Sequence, residues 1–120
     1  MHEVGIAGSI LDAVRQEMAR YPAARARGVI VRIGELAAVE PDALRFCFEA
    51  LKRDTEFEAL ELKIEFCPRR HRCPVCGAEF IVAGYDFGCP ECGQEKTEFA
   101  SGNQLELASL EIDDYEPSAA

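Results

Sequence analysis

Four of the six cysteines are arranged in two pairs whose spacing is typical of a metal site. Cys73 and Cys76 form one C-x2-C pair, and Cys89 and Cys92 form a second pair after twelve intervening residues. A glycine follows each pair, so each can form a tight knuckle that presents two thiolates. Two such knuckles give a closed tetrahedral four-thiolate site, the usual arrangement of structural zinc. Iron binds the same ligands, so the spacing predicts a metal site and leaves zinc and iron open.

A second group of potential ligands lies at the start of the chain, in Met1-His2-Glu3. With Met1 as the amino terminus, its α-amine, the amide nitrogens that follow and the imidazole of His2 can converge on one metal ion. Once the amides lose their protons, these nitrogens lie in one plane, which suits Ni(II) or Cu(II). Acidification is expected to weaken such a site. The alternative is that His2 is a solvated residue at a frayed terminus.

The other two cysteines and the second histidine lie outside both groups. Cys47 falls on the apolar stripe of a predicted helix and is expected to be a small buried hydrophobe. Cys67 ends a predicted strand before Pro68 and is not assigned to the metal site. His71 lies two residues before the first cysteine pair. We expect a solvated loop histidine there; the alternative is a group whose titration links the metal state to pH.

The charge balance excludes some classes of partner. The chain of 120 residues carries 13 basic and 22 acidic residues, for a formal net charge of −9. Nucleic acids and anionic membranes require a concentrated basic face, so neither is an expected partner. No apolar run has the length of a transmembrane helix, and no signal peptide is recognisable. We therefore expect a cytoplasmic protein whose cysteines are reduced thiols or metal ligands.

The periodicity of apolar residues predicts two amphipathic helices. In the first, from Val4 to about Arg20, apolar residues recur every three or four positions. His2 is expected just before this helix, on an exposed tether. The second helix begins at Pro41, whose missing N–H needs no partner at a first helical position. Its last turn carries basic residues, which the helix dipole favours there.

The remaining patterns complete an α+β fold, with two helices on a three-stranded sheet and an inserted small zinc-ribbon-like domain. Predicted strands lie at residues 29–33, 60–66 and 105–112, and residues 23–27 are expected to be a link. Residues 1–67 and 102–113 are assigned to one α/β domain, 68–101 to the insert, and 114–120 to a disordered tail. An insert of this size cannot stabilise itself by apolar burial alone, so a metal is expected.

Several features together resemble the HypA/HybF family of nickel-inserting hydrogenase maturation factors. They are Met1-His2-Glu3 heading a helix, a strand ending at Gly34-Glu35, the helix that begins at Pro41, and the paired cysteines before Gly102-Asn103. The resemblance covers residues 1 to about 112. It implies a nickel metallochaperone with no catalysis of its own, which delivers Ni(II) for [NiFe]-hydrogenase and in some relatives for urease.

The resemblance also implies site residues and partners. It places nickel at His2, with the amine of Met1 and the backbone or carboxylate of Glu3 as further ligands. Relatives with Asp where this chain has Glu40 suggest Glu40 as an additional contact, although its side chain is one methylene longer. Some relatives carry histidines beside both knuckles, whereas here only His71 flanks the first. The implied partners are a nickel-handling GTPase and the hydrogenase large-subunit precursor, and a monomer or a homodimer is left open.

Two functions of other classes remain open from the residues alone. Iron at the four thiolates would make a rubredoxin-like electron carrier, and zinc there would also suit a zinc-ribbon adaptor that binds another protein. We find no nucleophile–base pair, phosphate-binding loop or paired catalytic carboxylates in the sequence. An enzyme is therefore not expected.

Overall fold

The computed structural model describes residues 2–114 and has two α-helices and six strands. The helices are α1 (His2–Met18) and α2 (Pro41–Lys52), with a short 3-10 helix at Glu35–Ala37. The strands are β1 (Ala24–Gly34), β2 (Glu61–Cys67), β3 (Arg70–Arg72), β4 (Glu79–Ile81), β5 (Glu98–Ser101) and β6 (Leu105–Asp114). One mixed sheet has the order β2-β1-β6, and a second, antiparallel sheet has the order β4-β3-β5. The predicted α+β fold with a small zinc-ribbon-like part is confirmed.

The chain divides into two compact units. The helical unit comprises Met1–Val31, Val39–Glu65 and Glu106–Ala120, and the cysteine unit comprises Arg32–Ala38 and Phe66–Leu105. The domain boundaries given above stay a prediction, and the predicted disordered tail falls, apart from Asp114 at the end of β6, outside the described residues. No helix within residues 2–114 has both the length and the apolarity needed to cross a membrane.

The core of the helical unit forms where α1 and α2 pack against each other. Val14 of α1 and Leu44 and Phe48 of α2 are fully buried, as are Val29 of β1 and Leu60 before β2. Val14, Leu44 and Phe48 occupy the apolar stripes that the helical periodicity predicts. Burial of a large apolar side chain contributes roughly 1.5–3 kcal/mol, so these contacts hold the two helices together.

Local chemistry sets where α2 begins. Pro41 is the first helical residue, and the Glu40 carboxylate accepts a hydrogen bond of 3.0 Å from the Asp42 N–H. That bond satisfies one of the N–H groups that have no intrahelical acceptor. The predicted start of the second helix is therefore confirmed.

Two predicted boundaries are wrong. His2 is the first residue of α1 and not part of an exposed tether before it. The segment from Ala24 onward is already strand β1 and not a link, because it pairs within the sheet. The strand predicted at residues 105–112 is confirmed as β6 and extends to Asp114.

Candidate metal centres

The first knuckle, residues 73–78, is closed by two backbone hydrogen bonds. The Cys73 N–H donates to the Ala78 carbonyl at 2.9 Å, and the Gly77 N–H donates to the Cys73 carbonyl at 2.9 Å. Gly77 has a φ of +79°, a left-handed conformation that glycine adopts without strain. The N–H groups of Val75 and Cys76 point to the Cys73 sulfur at 3.4 and 3.5 Å. The turn therefore presents backbone donors to a thiolate.

The second knuckle, residues 89–94, repeats this geometry. The Cys89 N–H donates to the Gln94 carbonyl at 2.8 Å, and the Gly93 N–H donates to the Cys89 carbonyl at 3.0 Å. Gly93 has a φ of +82°, close to that of its counterpart in the first knuckle. The predicted role of the glycine after each cysteine pair is confirmed at both positions.

The two knuckles bring all four sulfurs together. The ligand atoms of Cys73, Cys76, Cys89 and Cys92 lie within 4.8 Å of one another, the one such cluster among residues 2–114. The Cys73–Cys92 and Cys76–Cys89 sulfur pairs are 3.5 and 3.6 Å apart. Zinc–sulfur bonds of about 2.3 Å in a tetrahedron require sulfur–sulfur distances of about 3.8 Å. The cluster therefore fits a four-coordinate zinc ion.

The acidity of the thiols also favours a cation between them. Backbone N–H groups, first that of Cys76, lower the pKa of Cys73 to about 6. The N–H of Cys92 is likewise the main cause that lowers the pKa of Cys89. The Gln94 N–H acts to lower the pKa of Cys92, but the hydrogen bond with Cys73 and burial outweigh it and raise the value to about 12. Without a cation, the second thiol of such a pair thus keeps its proton, whereas a divalent metal stabilises all four thiolates.

His71 is not the solvated loop residue expected from the sequence. It lies on β3 and is only 4% exposed, with its ring stacked on that of Phe87 at a centroid distance of 5.3 Å. Its Nδ1 is 2.9 Å from the Thr97 hydroxyl, and its Nε2 accepts a hydrogen bond of 3.0 Å from Arg69. Burial, assisted by the charge of Arg69, lowers the pKa of His71. The histidine is therefore a neutral core residue at neutral pH.

His2 and Glu3 open α1, with the carboxylate of Glu3 buried beside the exposed ring of His2. The Nε2 atom of His2 lies 3.0 Å from Oε2 of Glu3. The same carboxylate oxygen accepts a hydrogen bond of 3.3 Å from the Glu40 N–H at the start of α2. The N–H groups of Glu3 itself and of Glu40 are the main causes that lower the pKa of the Glu3 carboxyl. Met1 lies outside the described residues.

The two remaining cysteines lie apart from the sulfur cluster. Cys47 is buried on α2, which confirms the prediction of a small hydrophobe on the apolar stripe. Cys67 is the last residue of β2 and is half-buried. Neither residue belongs to the metal-ligand cluster.

Comparison with known proteins gives one consistent family. A family model described as "Hydrogenase/urease nickel incorporation, metallochaperone, hypA" matches residues 1–112. The chain is 40% identical over 113 residues to the hydrogenase maturation factor HypA of Geobacter metallireducens, covering 94% of this chain and 100% of the relative. It is 36% identical over 113 residues to the HypA of Chlorobaculum parvum, with the same coverage.

Two solved structures share the fold. The solution structure of the Ni metallochaperone HypA from Helicobacter pylori superposes with a TM-score of 0.62 at 24% identity, covering 93% of this chain and 97% of that one. A second solution structure, of a HypA protein, gives a TM-score of 0.70 at 23% identity, covering 95% and 98%. At these identities the likeness establishes the fold.

Proposed function

Because the chain belongs to the HypA family, whose members are nickel metallochaperones for hydrogenase and urease maturation, we propose that it carries Ni(II) at the start of α1. HypA proteins are non-enzymatic maturation factors, so the function consists of binding and release. The family assignment replaces the electron-carrier and adaptor alternatives. The observation that carries the proposed site is the contact of His2 with the buried Glu3 carboxylate.

The proposed nickel ligands are the amine of Met1, the backbone nitrogens of His2 and Glu3, and the imidazole of His2. A backbone nitrogen and Nδ1 of the same histidine close a six-membered chelate ring, whereas Nε2 points away from the backbone. Since Nε2 faces the Glu3 carboxylate at 3.0 Å, the ring is oriented for Nδ1 to bind metal. Metal-bound histidines commonly donate their second ring N–H to such a carboxylate.

The position at a helix terminus gives the carboxylate of Glu3 a second role. The amino end of a helix carries a partial positive charge, which disfavours a cation. A buried carboxylate and deprotonated amides offset that charge. The N–H groups of a first helical turn have no intrahelical acceptor, so metal binding there leaves the helical hydrogen bonds intact. The Glu40 carboxylate caps α2, so we propose for it a supporting role and no direct contact with nickel.

For the four-cysteine cluster we propose zinc as the resident metal, bound by Cys73, Cys76, Cys89 and Cys92. Zinc supplies a divalent charge and a tetrahedral crosslink, and no catalysis. The sulfur–sulfur distances of 3.5 and 3.6 Å and the closed knuckles support a structural site. In this division, residues 1–67 and 102–113 carry nickel, and residues 68–101 hold a shape that zinc stabilises.

The partners we propose are those of the family's role: a nickel-handling GTPase and the large-subunit precursor of a [NiFe]-hydrogenase, with urease as an additional target. We place these steps in the cytoplasm, where thiols stay reduced and available to zinc. A carrier must release its ion, and a site at the start of the chain is accessible for stepwise ligand exchange. The partner's ligands can replace those of His2 one at a time.

Nickel titration of zinc-loaded protein with a free amino terminus tests the proposal. We expect one nickel per chain in addition to one zinc. His2→Ala should abolish nickel binding and leave the zinc content unchanged, and a tag fused to the amino terminus should do the same. A tag on the carboxyl terminus is the matched control and should have no effect. Nickel affinity that survives both changes at the amino terminus would sink the proposed site.

A further inference from the structure

A directional chain of hydrogen bonds runs through the cysteine unit. The Nε–H of Arg69 donates to Nε2 of His71 at 3.0 Å. Because arginine has no acceptor, Nε2 carries no proton and Nδ1 is the protonated ring nitrogen. Nδ1–H then donates to the Thr97 hydroxyl at 2.9 Å, and that hydroxyl donates to the Phe87 carbonyl. Every member has a partner, as a buried polar network requires.

Aromatic rings enclose this chain of hydrogen bonds. The ring of His71 is stacked on Phe87 at an interplanar angle of 11°, and the guanidinium of Arg69 lies 4.6 Å from the centroid of the same ring. The rings of Phe80 and Phe99, each 6.3 Å from His71 between centroids, lie on the strands that flank β3. The hydrogen bonds are therefore largely shielded from water, which strengthens them.

The residues of this hydrogen-bond chain lie next to both knuckles in the sequence. His71 precedes Cys73 by two residues, and Phe87 precedes Cys89 by two. Thr97 follows the second knuckle, and its hydroxyl donates a hydrogen bond to the carbonyl of Phe87, which precedes that knuckle. The side chain of His71 thus joins the base of the first knuckle to both ends of the second.

We infer that these four residues, Arg69, His71, Thr97 and Phe87, form a clamp that positions the two knuckles for one zinc ion. The inference rests on the proposal that the four cysteines hold zinc. Each knuckle fixes only its own two thiolates through hydrogen bonds within six residues. The separation between the two pairs must be set by contacts outside the knuckles, and the clamp makes such contacts.

Ligands that are held in place before the metal binds increase the affinity of the site for the metal. Ligands that are already in place lose less conformational freedom when the ion binds, so the bound state is more favourable. Opening the site also requires the knuckles to separate, which the clamp opposes. Removal of an outer-shell partner of a metal site typically weakens metal binding by about 10–100-fold. The clamp residues touch no metal themselves, so they act as positioning residues.

The test is zinc transfer from the zinc-loaded full chain to a chromogenic chelator, measured for wild type and three variants. Thr97→Val keeps the size of the side chain and removes the hydroxyl. Thr97→Ser restores the hydroxyl and is the matched control. His71→Phe keeps an aromatic ring at the stack and removes both ring hydrogen bonds. We expect zinc transfer about 10-fold or more faster in Thr97→Val and His71→Phe, and within about 3-fold of wild type in Thr97→Ser.

Each outcome decides between explanations. Wild-type zinc transfer in both Thr97→Val and His71→Phe overturns the clamp, and equal acceleration in Thr97→Ser shows that packing and not the hydrogen bond is responsible. If Thr97→Val does not retain zinc through purification, His71→Phe carries the comparison. A wild-type chain without zinc overturns the proposed zinc site itself. The helical circular dichroism signal, dominated by α1 and α2, controls for general unfolding.

Discussion

Replacement of Gly34 by alanine should strongly destabilise the cysteine unit. Gly34, the last residue of β1, lies directly against the link between β5 and β6. A Cβ atom at this position would lie 2.2 Å from the Gly102 carbonyl oxygen, 2.3 Å from its carbon and 2.6 Å from the Gln104 nitrogen. All three atoms belong to the backbone, so no side-chain rotation relieves the clash.

The size of the effect follows from the same contacts. An added methyl group would push the end of β1 away from the link between β5 and β6. Two hydrogen bonds of 2.7 Å would then be weakened or lost, from Gly34 N–H to the Gln104 carbonyl and from Leu36 N–H to the Gly102 carbonyl. An inserted methyl group costs about 1–3 kcal/mol in a tight site, and each lost hydrogen bond costs about 1 kcal/mol. The expected loss is therefore about 3–5 kcal/mol, a large part of the roughly 5–15 kcal/mol that stabilises a typical protein.

Urea unfolding of the zinc-saturated chain measures this loss. Release of zinc reports on the cysteine unit, and circular dichroism reports on the helices. With a denaturant slope of about 2 kcal/mol per molar urea, the zinc-release midpoint should fall by roughly 2 M. Gly5→Ala in α1 is the matched control. A Cβ at Gly5 meets no atom within 4 Å, so the better helix propensity of alanine should raise stability by about 0.5–1 kcal/mol.

The structure requires the two glycine substitutions to change the free energy of unfolding in opposite directions. A Gly34→Ala midpoint within about 0.3 M of wild type, a change of well under 1 kcal/mol, would show that the two segments separate at little cost. The steric argument would then be wrong. A fall in stability for Gly5→Ala would equally contradict the open space beside α1.

Two further predictions concern the helical unit. Phe48→Ala, at a fully buried site, should cost about 3–5 kcal/mol in urea unfolding. Phe46→Ala, on the same helix but 76% exposed, should change stability by less than about 0.5 kcal/mol. Lys63 contacts Glu111 at 2.8 Å across Gly28, and this hydrogen bond is the main cause that lowers the pKa of the Glu111 carboxyl from 4.5. Because a lowered pKa stabilises the fold only where the unfolded carboxyl is ionised, Lys63→Met should lower the unfolding midpoint at pH 7, and the difference should vanish as the acid protonates Glu111. A difference that persists in acid would assign the effect to packing of the lysine.

Local sequence patterns predicted those parts of the fold and of the site that depend on residues close together in the sequence. Each knuckle closes through hydrogen bonds between residues at most five positions apart, so C-x2-C followed by glycine predicts its shape. The start of α2 follows in the same way from Pro41 and the cap at Glu40. The apolar stripes of both helices fall mostly on their buried faces, with Leu51 the exception at 39% exposure, because helical periodicity fixes which side chains share a face.

Other features needed residues far apart in the sequence. β2 alternates apolar and polar residues, but it is an edge of the sheet order β2-β1-β6, so Leu62 and Ile64 are only half-buried and Phe66 is 59% exposed. The alternation indicates which face is more apolar and cannot indicate how much of it another element covers. Position in the sheet is decided by packing of the whole chain.

The sequence by itself determined which residues are candidate metal ligands, and the tertiary structure decided what surrounds them. Cysteine spacing and the position of His2 follow from covalent order. The contact of Glu3 with the Glu40 N–H joins residues 37 positions apart, and that of His71 with Thr97 joins residues 26 apart. A polar side chain such as His71 is buried only if partners satisfy both ring nitrogens, and the partner of Nδ1, Thr97, is distant in sequence. No local pattern contains that information, which is why a buried histidine appears in the sequence as an ordinary loop residue.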